Sequence, residues 1–111
     1  MLVVDDHPVF RRQLRRMLEA AGYSVVAEAP DGATAIEMAA RTDPWLVLID
    51  IGLPDMTGFE VASEIGPERV VLISGRDPRT FATELDSSQT LGFVSKSELT
   101  PAALSQILGQ P

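Results

Sequence analysis

Five residues of this chain could do chemistry together, and each closes an apolar run. Asp5 and Asp6 follow Leu2-Val3-Val4, and Asp50 follows Trp45-Leu46-Val47-Leu48-Ile49. Ser74 follows Val70-Val71-Leu72-Ile73, and Lys96 follows Gly92-Phe93-Val94-Ser95. Carboxylates brought together repel one another unless a cation joins them. An all-oxygen donor set with room for water suits Mg²⁺, which binds through one or two carboxylates plus phosphate oxygens. A carboxylate such as Asp50 can act as a nucleophile on phosphorus and form an aspartyl phosphate. A metal beside it would neutralise charge on the phosphoryl oxygens. Lys96 can pair with the acids at rest and with the phosphoryl group afterwards, and the Ser74 hydroxyl can donate a hydrogen bond to it.

Such chemistry needs the five residues on one rim, so the intervening elements must put them there. Short apolar runs of this kind predict buried strands. The run at residues 45–49 is apolar on both faces, as a central parallel strand requires. A further strand is expected over residues 23–29. Between the strands, Val9, Phe10, Leu14, Met17, Leu18 and Ala21 recur at helical spacing and end at Gly22. Pro30-Asp31-Gly32 reads as a turn, and a helix through Ala33, Ile36, Met38, Ala39 and Ala40 ends before Asp43-Pro44. Helices are also expected at about residues 59–65, at about 79–85 with Asp86-Ser87-Ser88 as loop, and at 101–108, where Pro101 suits a first turn. Five strands alternating with five helices predict one α/β domain over residues 1–111, its parallel sheet covered on both faces. Ligands of such sheets bind at the carboxyl ends of the strands, which is where the five residues stand.

Nine basic against sixteen acidic residues give a net charge of −7, which disfavours direct nucleic-acid binding. There is no cysteine, which excludes disulfide and thiol chemistry. No apolar run approaches the ~20 residues that span a bilayer, and no signal-peptide pattern is present. A cytoplasmic protein with no membrane association is the expectation.

In this order the motifs Val3-Val4-Asp5-Asp6-His7-Pro8, Leu48-Ile49-Asp50-Ile51-Gly52-Leu53-Pro54-Asp55-Met56-Thr57-Gly58, Leu72-Ile73-Ser74 and Gly92-Phe93-Val94-Ser95-Lys96-Ser97 resemble the receiver domain of two-component response regulators. The resemblance runs from Val3 to about Leu108. It implies a flavodoxin-like doubly wound sheet of order 2-1-3-4-5. It implies Asp50 as phosphoacceptor, with Mg²⁺ held by Asp6, Asp50 and the backbone carbonyl of Gly52, and by Asp5 through a water. Ser74 and Lys96 would contact the phosphoryl group, and Phe93 would be an aromatic switch following Ser74. The phosphoryl donor would be a histidine kinase, a phosphotransfer protein or a small phosphodonor. The domain would be a switch in transcription regulation rather than an enzyme.

Two departures from the commonest pattern matter. Ser97 follows Lys96 where proline is usual, and a cis bond before a non-proline residue would cost roughly 3 kcal/mol. Gly52 offers no side chain to orient or block an attacking water, so Arg76, two residues beyond Ser74, is expected to govern phosphoryl lifetime instead. His7 is read as a loop-edge residue shaping the helix start, and Asp55 as a turn residue. Arg11, Arg12, Arg15 and Arg16 form either a solvated face or a docking surface. An aspartate-nucleophile phosphatase would want a second acid where Gly52 stands, and a flavin phosphate would be repelled by Asp5-Asp6. The remaining alternatives are a degenerate receiver serving only as an interaction module and a stand-alone regulator. Homodimer formation, through the last strand and its flanking helices or through the first and last helices, stays open.

Overall fold

The computed structural model describes residues 1–109; Gln110 and Pro111, the end of the expected domain, lie outside it. Five strands form one parallel sheet: β1 (Leu2–Val4), β2 (Ala27–Ala29), β3 (Val47–Asp50), β4 (Val70–Ser74) and β5 (Gly92–Ser95), in the order β2-β1-β3-β4-β5. Helices α1 (Pro8–Ala20), α2 (Gly32–Thr42), α3 (Gly58–Ile65), α4 (Ala82–Ser87) and α5 (Pro101–Leu108) make the crossovers. The register aligns Val4 with Ile49, Asp50 with Ile73 and Ser74 with Ser95, so the strands end close to one level.

Alternation along the strands divides the core into two layers. Val3, Leu48, Val71, Ile73 and Val94 pack with Leu14 and Leu18 of α1 and Leu104 of α5. Leu2, Val4, Val47, Ile49, Val70 and Leu72 pack with Ala35 and Ala39 of α2 and Val61 and Ala62 of α3. Every residue of β3 and β4 is buried, and each large apolar side chain so buried contributes about 1.5–3 kcal/mol. Small alanines on α2 let it sit close against β1 and β2.

Capping side chains set the helix starts. Asp31 accepts from the Thr34 amide, Thr57 and Glu60 form a reciprocal capping box on α3, and Thr100 caps α5. Gly22 and Gly109 lie past helix ends with φ of +94° and +70°, conformations that glycine adopts without steric cost.

Some boundaries differ from the sequence expectation. The second strand covers 27–29 rather than 23–29: Val26 donates to the Met1 carbonyl, but its side chain is half-exposed and Tyr23 turns away to stack on Trp45. Trp45, 53% exposed, and Leu46 precede β3, which begins at Val47, although the Leu46 carbonyl still accepts from the Leu2 amide. Gly32 is the first residue of α2 rather than a turn. The fourth helix begins later and runs through Asp86 and Ser87, because Pro78–Phe81 forms a 3₁₀ turn capped by Asp77. Lys96 opens a 3₁₀ turn (Lys96–Glu98) directly after β5. No cis peptide occurs among the described residues, so the Lys96–Ser97 bond is trans. No helix among them is long and apolar enough to cross a membrane.

Candidate functional site

The five predicted residues converge on the carboxyl rim of the sheet. Asp5 leaves β1 with its amide bonded to the Ala29 carbonyl and its side chain fully buried. Its Oδ1 accepts from the His7 amide at 2.8 Å, a turn that reverses the chain into α1. Asp50 is the last residue of β3 and 4% exposed; the Gly52 amide donates to its Oδ1 at 3.1 Å. Ser74 ends β4, and its Oγ accepts from the Arg76 amide at 3.0 Å. That bond uses a lone pair of the hydroxyl and leaves its hydrogen free to point toward the rim.

Lys96 reaches across from the end of β5. Its Nζ lies 2.7 Å from Asp5 Oδ2 and 3.1 Å from Asp50 Oδ2, and 4.5 Å from the centre of the Phe10 ring. The contact with Asp5 is a close ion pair, and among the described residues Oδ2 of Asp5 has no hydrogen-bond partner. Burial acts to lower the Lys96 pKa. The close contact and charge of Asp5 and the charge of Asp50 outweigh it, and the ammonium sits above the ordinary lysine value.

Asp6 is partly exposed, yet its Oδ1 is buried and accepts no hydrogen bond among the described residues, although His7 Nδ1 approaches to 3.1 Å. Ligand atoms of Asp5, Asp6, His7 and Asp50 all lie within 4.8 Å of one another. Three carboxylates therefore face one ammonium, a local excess of negative charge that a small divalent cation would relieve. His7, Asp50, Gly52, Ser74, Gly75, Arg76 and Lys96 line a cleft of about 180 Å³ over the Asp50 carboxylate. The larger cavities beside β5 and α5 and between α3 and α4 do not border Asp50.

The loop after Asp50 is shaped by close backbone approach. The Gly58 amide donates to the Ile51 carbonyl, and a Cβ at Gly58 would lie 2.8 Å from the Asp50 carbonyl oxygen and 2.9 Å from Ile51 Cα. Only glycine lets α3 start there. Gly52 has open space around it: a Cβ would meet only Asp50 Oδ1, at 4.0 Å.

Phe93 is half-buried on β5, in register with Leu72. His7 does lie at the exposed loop edge, but its ring also faces Asp5 and Asp6 at 3.1 Å, a placement that loop position alone did not indicate. Sequence reasoning missed what Asp55 does. Its Oδ1 and Oδ2 accept from the Gly32 and Ala33 amides at 2.8 and 2.9 Å, and these bonds hold its carboxyl below the ordinary range. No local signal reveals this, because the partners are more than twenty residues away.

The basic run on α1 divides by helical phase. Arg11 and Arg15 both bond Glu28 of β2, at 3.0 and 2.9 Å, and Arg11 also donates to the Asp5 carbonyl at 2.7 Å. Arg12 and Arg16 are exposed and make no ion pair among the described residues. Half of the run is thus structural, and the other half faces solvent.

Comparison with known proteins gives a consistent result. A family model described as response regulator receiver domain matches residues 1–108. The virulence transcription regulator BvgA of Bordetella pertussis is 36% identical, over 88% of this chain and 49% of its own. The chain spans about half the length of the curated relatives it matches. The signal receiver domain of NarL from Mycobacterium tuberculosis superposes with a TM-score of 0.83 at 35% identity, over 98% of this chain and 95% of that one. CheY of Borrelia burgdorferi, solved in complex with CheX, BeF3 and Mg²⁺, superposes with a TM-score of 0.81 at 25% identity, over 96% of this chain and 84% of that one.

Proposed function

The chain belongs to the response regulator receiver domain family, and from that premise we propose that Asp50 accepts a phosphoryl group in a Mg²⁺-dependent reaction. The observation that carries the reading is Asp50 itself: a carboxylate buried to 4%, closing the central strand, with Lys96 Nζ at 3.1 Å and an open cleft above it. A carboxylate confined in this way is costly unless it is used or compensated.

The donor set fits Mg²⁺. Asp6 offers a buried oxygen without a hydrogen-bond partner among the described residues, and Asp50 and the Gly52 carbonyl complete a set of hard oxygen donors. Asp5 has Oδ1 taken by the His7 amide and Oδ2 by Lys96, which suits it to act through a water rather than directly. When bound, Mg²⁺ would neutralise charge on the phosphoryl oxygens.

Asp50 attacks phosphorus with a carboxylate oxygen, forming an O–P bond as the N–P bond of a donor phosphohistidine breaks. The electron pair leaves with the imidazole nitrogen. The Gly52 amide holds the other face of the carboxylate. Lys96 turns from its acids to the new phosphoryl oxygens, and Ser74 donates its free hydroxyl hydrogen to them. Ser74 is then drawn toward Asp50. Phe93, half-buried beside a groove it shares with Val94, Ala103 and Ile107, has room to follow as the switch. The domain is a phosphoacceptor switch, with a histidine kinase or phosphotransfer protein as donor. Its output is transcription regulation, as the names of its relatives suggest, with a homodimer as one route to it.

Intact-mass spectrometry after incubation with acetyl phosphate tests this. A Mg²⁺-dependent, acid-stable, base-labile gain of one phosphoryl group is expected, absent in Asp50→Asn. No adduct from acetyl phosphate or from phosphohistidine donors, with the fold intact, would instead identify an interaction module that works without phosphorylation.

A further inference from the structure

The loop joining β3 to α3 carries Gly52, whose amide holds Asp50 and whose carbonyl the proposed metal site uses, yet few bonds fix it to the rest of the molecule. Its base closes on itself, through the Gly58 amide on the Ile51 carbonyl and an isolated bridge between Gly52 and Thr57. Its tip is held elsewhere. Asp55, exposed at that tip, places both carboxylate oxygens on the first two amides of α2, Gly32 and Ala33, at 2.8 and 2.9 Å. Asp31 takes the third, that of Thr34, at 2.8 Å. Three amide groups that a helix start ordinarily leaves to solvent are thereby satisfied by two carboxylates, one of them from a different element.

The seat is close-packed as well as hydrogen-bonded. Gly32 is buried, and a Cβ there would meet Met56 Cγ at 2.3 Å and Sδ at 2.6 Å. Glycine at the start of α2 is what allows the residue after Asp55 to rest on the helix.

We propose that Asp55 is a positioning residue for the metal site: its two bonds to α2 clamp the loop so that Gly52 is held ready beside Asp50. The inference rests on the reading of Asp5, Asp6 and Asp50 as a Mg²⁺ site. A preformed ligand needs no ordering when the ion arrives, whereas an unclamped loop must be ordered at that moment. Asp55 touches neither the ion nor the phosphoryl group in this scheme.

Mg²⁺ affinity, read from amide chemical shifts of the isotope-labelled protein titrated with MgCl₂ at ~150 mM salt, tests the clamp. Asp55→Ala is expected to weaken binding by about tenfold, the low end of what partners of metal ligands contribute. Asp55→Asn, which loses the charge but keeps one oxygen acceptor, should fall between Asp55→Ala and wild type. Thr100→Val removes the cap of α5, which packs on the other face of the sheet from α2, and should leave the affinity unchanged while lowering stability. The inference is overturned if Asp55→Ala binds Mg²⁺ within twofold of wild type while the Gly32 and Ala33 amides shift. It is overturned equally if Asn and Ala weaken binding alike, which is loss of charge alone, or if Thr100→Val weakens it as much, which is general loosening. Failure of the wild type to bind Mg²⁺ would refute the metal site itself and the clamp with it, and is distinguishable because no variant is involved.

Discussion

Asp50→Asn removes one of three negative charges crowded around a single ammonium, and the metal-free protein is expected to gain stability from the loss. Asp50 attracts Lys96 at 3.1 Å, worth about 5 kcal/mol at an effective dielectric near 20. Asp5 and Asp6, with ligand atoms within 4.8 Å, each repel it by about 3.5 kcal/mol or more on the same scale. The repulsions together exceed the attraction, and burial to 4% exposure adds a desolvation cost of the same sign. Asparagine keeps an oxygen for the Gly52 amide and nearly the same volume. Allowing for relaxation and water entry, the net gain should be about 1–2 kcal/mol, or ~4–8 °C in Tm. Urea and thermal unfolding in EDTA measure it, followed by the fluorescence of Trp45, the single tryptophan, which lies at the opposite end of β3 and stacks on Tyr23. With ~10 mM Mg²⁺ the wild type should recover about 1.4 kcal/mol if Kd is near 1 mM, and the variant less, so the gap narrows. A variant less stable than wild type in EDTA, or one that Mg²⁺ stabilises equally, would refute the charge-crowding argument.

Three further outcomes are expected. Arg76→Ala should change the decay rate of phosphorylated protein by at least ~3-fold, against little change for Gly52→Ala, whose methyl would meet only Asp50 Oδ1 at 4.0 Å; radiolabel decay measures both, and equal rates for wild type and Arg76→Ala would end that assignment. Gly58→Ala should cost about 1–3 kcal/mol, since its Cβ would meet backbone of Asp50 and Ile51 below 3.0 Å; a midpoint equal to wild type in urea would show that α3 can start elsewhere. Glu28→Gln should lose about 1 kcal/mol near neutral pH, as the side chain pairs with both Arg11 and Arg15. The hydrogen bond from Arg15, then that from Arg11 and both positive charges, outweigh burial and keep the Glu28 pKa below the usual glutamate value. Its contribution is therefore fully present above the unfolded value of about 4.3 and lost as pH falls through the lower folded one, so wild type and variant should converge as the pH is taken down below that unfolded value.

How far the sequence could be read depended on whether a residue's role is local. Apolar runs of the right length located β3 and β4 because a strand buried on both faces must be apolar throughout, and Asp50 was conspicuous as the polar residue ending one. The end of β2 at Ala29 was read correctly, but its start was not legible. Val25 and Val26 have strand propensity, but an edge strand of three residues is decided by what β1 offers it. The start of α4 was misplaced for a related reason: no residue of it is buried, so no apolar periodicity marks it.

Order of motifs along the chain was enough to determine the class of fold, the rim on which the chemistry-bearing residues meet, and the identity of the phosphoacceptor candidate. These follow from burial and strand direction, which are written in each segment separately. Only the tertiary structure decided which charges meet. That Lys96 lies 2.7 Å from Asp5 as well as 3.1 Å from Asp50, that Glu28 claims two of the four arginines of α1, and that Asp55 belongs to the start of α2 are contacts across 91, 46, 17, 13 and 23 residues. Charge interactions depend on separation in space, and sequence spacing carries that information only within a single helix or turn.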